Sequence, residues 1–537
     1  MIIFVSDLFV EDYVGGGELT SEAIIQGSLM PVHKVHSRSI TLKHMQQHAD
    51  KFWVFGNFSA LNEECVLYAA KHLNYSVLEY DYKFCKYRSP EKHIAAEGIC
   101  DCHTQRVGKV VSIFFKKAKA LWFMSEAQKQ VYCGHFPFLD NENNRVLSSV
   151  LSDETIEYIE TLKTDKKNDK WIILNSQSWI KGKDLAVKYA QKNNLNYELV
   201  WGIGHKELLQ KLAVSRGLIY IPPGKDTCPR LTIEAKLLGC ELVLNDNVQH
   251  RHEAWFQTRE SILKYLKSRT KVFWSTVESV WNLETPRPSQ GEENKFNFIV
   301  PFYNAGQWLK RCITSVKAQS YSNYMCYLID DLSNDNSVEV IKNQIKGDSR
   351  FKLIKNTQKR YALGNIVNTL QTEDIADEDI NIILDGDDWV SSFNVLSHLN
   401  SVYKETGCLM TYGSYVYYPN GRKGVEPSSY PQSVIENNEF RKDAWRASHL
   451  RTFKTKLWNH VNLDDLKDDD GDYYKTAYDQ ALMLPLLEMA GSKSHYISDI
   501  LHVYNRENPL NVDKVKQQLQ YQTAQKIRAK KPYERVF

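Results

Sequence analysis

The sequence predicts an α/β protein of more than one domain, built on parallel sheets. Three observations carry that reading. Short apolar runs alternate with helical stretches through most of the chain, the pattern restarts after a proline-bearing break, and 537 residues are too many for one ordinary core. Hydrophobic residues make up 42% and charged residues 25%, the balance of a folded chain rather than a disordered or fibrous one.

In the first half the apolar runs are KFWVFGNF, SVLEYDY, KALWFMS, WIILNS, YELVWG and GLIYIPP, with helical stretches such as ELLQKLAVS between them. A charged polar stretch, Leu162 to Lys170, falls just before WIILNS. It divides this half into subdomains at about 1–165 and 166–285. The sharper break, ETPRPSQGEENK, combines two prolines, a glycine and mixed charge, and marks 286–295 as a linker between domains 1–285 and 296–537. The second half opens with four strand-like runs, FNFIVPFYN, YMCYLIDD, FKLIKN and INIILDGDD, and after Asp388 the regular alternation fades.

Composition excludes several classes. With 68 basic and 65 acidic residues the net charge is +3, so nothing global marks a nucleic-acid binder. Met1 to Val10 lacks a basic start and meets Asp7 early, which reads as a first strand rather than a signal peptide. No apolar run approaches the roughly 20 residues of a membrane helix. Two runs mixing basic and aromatic residues, FFKKAKALWF and KIRAKKPYERVF, would suit an anionic polymer or a membrane surface, or else solvated helix faces. Ten scattered cysteines suit reduced thiols in a cytoplasmic protein, peripheral at a membrane if those runs dock there. Cys100, Cys102 and His103, with Cys85 and His93 upstream, offer zinc ligands. The close C-x-C lacks the usual paired spacing, so a loop with free thiols is expected.

The densest chemistry is NIILDGDDW, where Asp385, Asp387 and Asp388 crowd the end of a buried strand. Carboxylates that close repel, and a divalent cation bound to a diphosphate would compensate them. Leu328 to Asp335 ends another strand with Asp330 and Asp331. In open α/β sheets such strand ends aim into one ligand crevice. The competing reading is a surface acidic turn.

From Phe296 to about Asn508 the sequence resembles glycosyltransferase family 2, the inverting nucleotide-sugar enzymes of GT-A fold. The resemblance rests on VPFYNAGQWLKRCITSVKAQSYSNYMCYLIDDLSNDNS, YALGNIVNTL and LDGDDW, the last matching the family's DXD motif. It implies donor contacts at Pro301, Tyr303, Asp330, Asp331, Arg360, Asn365 and Asp385, and a Mn²⁺ or Mg²⁺ ion held by Asp385 and Asp387. Asp388 would support them, and His502 is a further candidate ligand, though a structural histidine is the commoner case. AYDQALMLPLLEMAG resembles the helix bearing the catalytic acid pair. That implies Asp479 as general base, with Tyr478 where the family usually has an acid.

More loosely, residues 1 to 285 resemble glycosyltransferase family 4, retaining enzymes of GT-B fold with two Rossmann-type subdomains, through YVGGGELTSEAI, WIKGKDLAVKYA, VWGIG and IPPGKDTCPRLTIEAKLLGCELV. A donor site here would use Gly16, Gly17, Lys181, Asp226 and Glu234. Asp226 replaces a Glu, and Ser176, Gln177 and Ser178 stand where an Arg is usual, so an active second transferase and a degenerate acceptor-binding or scaffolding domain both stay open. The function implied is a glycosyltransferase moving a sugar from a nucleotide-diphospho-sugar, UDP-linked in the simplest case, to a glycan acceptor in polysaccharide biosynthesis. The alternatives are a viral-type enzyme acting on hydroxylated DNA bases and a non-catalytic carbohydrate-binding protein.

Overall fold

A computed structural model of the chain describes residues 1–281, 293–511 and 517–537, so most of the expected 286–295 linker lies outside the described residues. The chain divides into two compact units. The first comprises Ile2–Ser28 and Val32–Leu283; the second comprises Met1, Leu29–Pro31 and Glu284–Phe537.

The first unit holds two parallel sheets. One contains β1 (Ile2–Ser6), β2 (Val32–His36), β3 (Phe52–Phe55), β4 (Asn74–Glu79), β5 (Ala120–Phe123) and β6 (Asn144–Val146), in the order β2-β1-β3-β4-β5-β6. The other contains β7 (Trp171–Leu174), β8 (Tyr197–Val200), β9 (Gly217–Tyr220) and β10 (Glu241–Leu244), in the order β10-β9-β7-β8. Every described pairing in both is parallel. Crossover helices cover the faces of such sheets, which is why β1, β3 and β5 read as unbroken apolar runs and are buried along their whole length. The helix Asp153–Leu162 closes the first sheet's segment just ahead of β7.

The second unit is one mixed sheet. Its strands are β11 (Phe296–Phe302), β12 (Tyr324–Asp330), β13 (Phe351–Lys355), β14 (Ile380–Ile383), β15 (Trp389–Val390), β16 (Met410–Tyr418), β17 (Arg451–Lys454) and β18 (Ser494–Asn505). The order is β13-β12-β11-β14-β17-β16-β18-β15. From β13 to β14 all pairs are parallel, which matches the four runs legible in the sequence. β14 then pairs antiparallel with β17, and β17 with β16. The fading alternation after Asp388 is this change to antiparallel and irregular pairing, with β16 and β18 shifting register at Gly413 to Tyr415.

The apolar residues of the two basic and aromatic runs largely belong to the core, while several of their basic residues are exposed. Phe114, Phe115 and β5 are core, and in the C-terminal run Ile527 is buried while Arg528 donates to the carbonyls of Arg441 and Asp443. Apolar content that looked amphiphilic in one dimension is the inward face of a helix and a strand. Among the described residues no helix is long and apolar enough to cross a membrane.

One buried ion pair holds the C-terminal segment to the core of the second unit. Arg441 donates to both oxygens of Glu488 at 2.6 and 2.9 Å and to the carbonyl of Ile527 at 2.6 Å, and Tyr533 N donates to Glu488 at 3.0 Å. Removing the guanidinium leaves a fully buried carboxylate unpaired. Arg441→Ala is expected to cost the second unit roughly 3–5 kcal/mol, read as an earlier urea midpoint at unchanged slope, and a shift under about 1 kcal/mol would show the pair to be dispensable.

Candidate active site

The acidic turn is built by the sheet. β14 is buried on both faces between β11 and β17, and its continuation is stitched to β11 by Leu384 N to Ile299 O (3.2 Å) and Gly386 N to Pro301 O (3.1 Å). Gly386 is required by space: a Cβ there would come within 2.5 Å of the Phe302 Cβ. On the neighbouring strand, Asp331 N donates to Phe302 O at 3.0 Å. Both acidic turns therefore leave the sheet at the carboxyl end of β11, as parallel register requires.

Each carboxylate of the turn has its own partner. Asp385 accepts the Tyr478 hydroxyl on both oxygens, at 2.7 and 2.8 Å. Asp387 accepts from the Asn508 side-chain amide at 2.7 Å. Asp388 is enclosed, hydrogen-bonded to His502 Nε2 at 2.8 Å and accepting from Asn505 N at 2.8 Å. Burial, then the charges of Asp388 and Asp385, push the Asp387 carboxyl up to about 8. Burial and Asp385 likewise drive Asp388 well above the usual carboxylate range. Burial pushes His502 down to about 3, so its ring is neutral, turned to Asp388 rather than Asp387, and stacked on His449 at 4.3 Å. Asp388, His449 and His502 bring one ligand atom each within 4.8 Å of the others.

The Asp330–Asp331 turn spends its oxygens on the backbone. Asp330 accepts from Ser333 N at 2.8 Å. Asp331 accepts from Arg360 N (2.8 Å), Tyr361 N (3.0 Å) and the Asn356 side chain (2.9 Å), which satisfies the opening amides of the helix Tyr361–Thr372. Asn365 is buried on that helix; its oxygen accepts from Asn356 at 2.6 Å while its side-chain nitrogen has no partner. Tyr303 is 44% exposed with the Lys359 ammonium 3.0 Å above its ring. Pro301 contributes a backbone carbonyl. Asn365, Arg360 and both aspartates thus meet at one turn.

Asp479 sits in the first turn of the helix Tyr478–Ala490, whose Leu482, Leu486 and Met489 are fully buried. Since Tyr478 binds Asp385, the helix start is pinned to the acidic turn. A residue that sequence reasoning missed completes the arrangement. Arg451, at the end of β17 opposite Ile383, is buried and lies 3.6 Å from Asp479 and 3.3 Å from His449. Burial opposes its charge, but Asp479, Tyr478 and Asp385 outweigh that and hold it protonated. Only the antiparallel register of β17 against β14 could have found it, and that register carries no sequence motif.

In the first unit, Gly16 and Gly17 open the helix Gly16–Gln26. Lys181 is 3.1 Å from Asp226, which also takes the Tyr220 hydroxyl at 2.5 Å. Glu234 is enclosed by Arg230 at 2.7 Å and His205 at 2.9 Å, and the Arg230 Cβ lies 3.7 Å from where a side chain on Gly16 would begin. Asp226 and Glu234 thus fall into two separate ion pairs, and the nearby arginine is Arg230 rather than one preceding Lys181.

An uncharacterized glycosyltransferase of Haemophilus influenzae is 35% identical over 123 residues, 22% of this chain and 47% of that protein. The glycosyltransferase GlyG of Streptococcus pneumoniae is 24% identical over 225 residues, 39% of this chain and 70% of that protein. The chain thus spans about half to two thirds of the length of these curated relatives. Among solved structures, TarS of S. aureus in complex with UDP-GlcNAc superposes at a TM-score of 0.32 and 15% identity, over 41% of this chain and 61% of that one. Residues 297–460 match the family model for glycosyl transferase family 2, a segment that holds Asp330, Asp331, Asp385, Asp387 and Arg451 but ends before Asp479, His502 and Asn508. The match to the glycosyl transferase family 2 model thus falls within the α/β sheet of the second unit.

Proposed function

We propose that the second unit is a metal-dependent, inverting glycosyltransferase that moves a sugar from a nucleotide-diphospho-sugar to an acceptor hydroxyl in glycan or polysaccharide biosynthesis. The observation that carries this is the convergence of Asp385 and Asp387 with Asp479, fixed by the Tyr478 hydroxyl on Asp385. The carboxylate pair fits a hard divalent cation. Its oxygens repel one another, Asp387 keeps one oxygen beyond its bond to Asn508, and Mn²⁺ or Mg²⁺ prefers such ligands beside phosphate. Bound there, the ion would neutralise charge on the departing diphosphate.

The chain's own residues supply the rest. Asp479 accepts the proton of the attacking hydroxyl, with the Arg451 guanidinium 3.6 Å away to orient it. The turn formed by Asp331, Arg360 and Asn365 receives the nucleoside, with the orphan Asn365 amide as a donor for it. His502 holds Asp388 and so braces the turn, rather than serving as a ligand. A UDP-linked sugar is the first donor to test. All ten cysteines are free thiols, which suits work in the cytoplasm.

For the first unit we favour a GT-B-like pair of Rossmann-type subdomains without donor chemistry. Lys181 is neutralised by Asp226, and Glu234 by Arg230, so neither cation is left to meet a diphosphate. Calorimetry of the full chain with nucleotide sugars is expected to give one binding event per chain. Two would restore the first unit as a second transferase.

Two substitutions test the second unit. Asp387→Ala is expected to abolish transfer at saturating Mn²⁺ while leaving the unfolding midpoint unchanged or higher, because one of three crowded carboxylates is gone. Wild-type turnover in EDTA would overturn the metal reading. Asp479→Asn is expected to lower turnover roughly 10²- to 10⁴-fold at nearly constant donor affinity. NMR of the product linkage, made from a panel of glycans and hydroxymethylated DNA, should show the anomeric configuration opposite to the donor's, and retention would exclude a single displacement.

A further inference from the structure

The first unit contains a second group of metal-type ligands, far in sequence from the acidic turn and unused by the chemistry above. Cys85 follows β4, His93 lies on the helix Pro90–Glu97, and Cys100 and Cys102 lie in the loop after Gly98. Their ligand atoms all lie within 4.8 Å of one another. Cys85 and Cys102 are 1% and 3% exposed, His93 is 3% exposed, and Cys100 is half-buried. The C-x-C spacing that argued against zinc in the sequence is half of a set whose other half comes from 7 and 15 residues upstream of Cys100. His103, the other candidate, stacks on His135 at 4.1 Å and takes no part.

The spacing suits one particular occupant. A tetrahedral zinc ion with sulfur at about 2.3 Å and imidazole nitrogen at about 2.0 Å holds its ligands about 3.5–3.8 Å apart. Here Cys85 Sγ is 3.6 Å from Cys100 Sγ and 3.7 Å from His93 Nδ1, and Cys102 Sγ is 3.4 Å from the same nitrogen. The histidine is oriented as in known zinc sites, where the far ring nitrogen donates to a carboxylate. His93 Nε2 is 3.0 Å from Glu97, one helical turn on, and Glu97 is itself held by Lys86 at 2.7 Å and Tyr87 at 2.9 Å. Tyr87 stacks on the imidazole at 4.9 Å, which fixes the ring plane. The loop is clamped from behind by the helix Arg106–Lys117, where Gly108 is obligatory: a Cβ there would meet Cys102 O at 2.3 Å.

We propose that Cys85, His93, Cys100 and Cys102 bind a structural Zn²⁺ ion in the first unit. All four positions of a tetrahedron are filled by protein, and the soft thiolate and imidazole donors select zinc over the hard ions of the acidic turn. Three thiols lose protons as the ion binds, and no redox change is involved. The ion would fasten the Cys85–Cys102 excursion, a surface stretch with little core of its own, to the sheet of β4.

The test uses the full chain purified without chelator under reducing conditions. Elemental analysis is expected to find about one zinc per chain, falling at least tenfold in the Cys100→Ser/Cys102→Ser variant. Asp387→Ala, which alters the other metal site, and Cys133→Ser, a cysteine outside the group, should both keep it. Should the double variant fail to fold, Co²⁺ added to metal-stripped wild-type protein decides the matter. A thiolate-to-cobalt charge-transfer band with intense tetrahedral visible bands supports the site. Weak octahedral bands without charge transfer, or wild-type protein with under about a tenth of an equivalent of zinc, overturn it.

Discussion

The second unit depends on how three carboxylates are held together at one strand end. Asp385, Asp387 and Asp388 lie within four residues in a largely desolvated place, where like charges cost more than they do in water. The protein meets that cost by giving each a different partner: a phenol for Asp385, an amide for Asp387, and a neutral imidazole with a backbone amide for Asp388. A full positive charge, Arg451, lies 3.6 Å from Asp479. The result is a site in which hydrogen bonds, with the charge of Arg451 acting on Asp385 and Asp388, hold three acids together.

How much of this was legible follows from the range of the interactions. The strands β11 to β14 could be read because each is a continuous apolar run, and the acidic turns because their residues are adjacent in the chain. Tyr478 was visible as a departure from a pattern, but its task was not, since the bond to Asp385 spans 93 residues. Arg451 was invisible because it is an ordinary strand residue until β17 is placed against β14. The grouping of Cys85, His93, Cys100 and Cys102 around one point was hidden for the same reason. C-x-C is judged by its own spacing, whereas Cys85 and His93 come from a loop and a helix that only the fold brings near it.

The two halves differ in how they use the same materials. In the first unit, the lysine and the acidic pair suggested by sequence are paired off: Lys181 with Asp226, Glu234 with Arg230. In the second, Asp387 is held by the Asn508 side-chain amide, a neutral partner. Identical residue types thus give ion pairs in one place and hydrogen-bonded acids in another, and composition is blind to the difference.

The strand order bears on biogenesis. The partners of Asp388 lie 114 and 117 residues downstream, at His502 and Asn505 on the last strand, which inserts between β16 and β15. During synthesis at about 5–20 residues per second, the acidic turn emerges well before the groups that pacify it. For those seconds β14 can pair with β11, but three unscreened carboxylates oppose closure of the turn, and the long-range β16–β18 pairing is the slow kind. Until the last strand is made, the acidic turn lacks the two partners that hold Asp388. Counterions, magnesium among them, are the natural escorts for that nascent state.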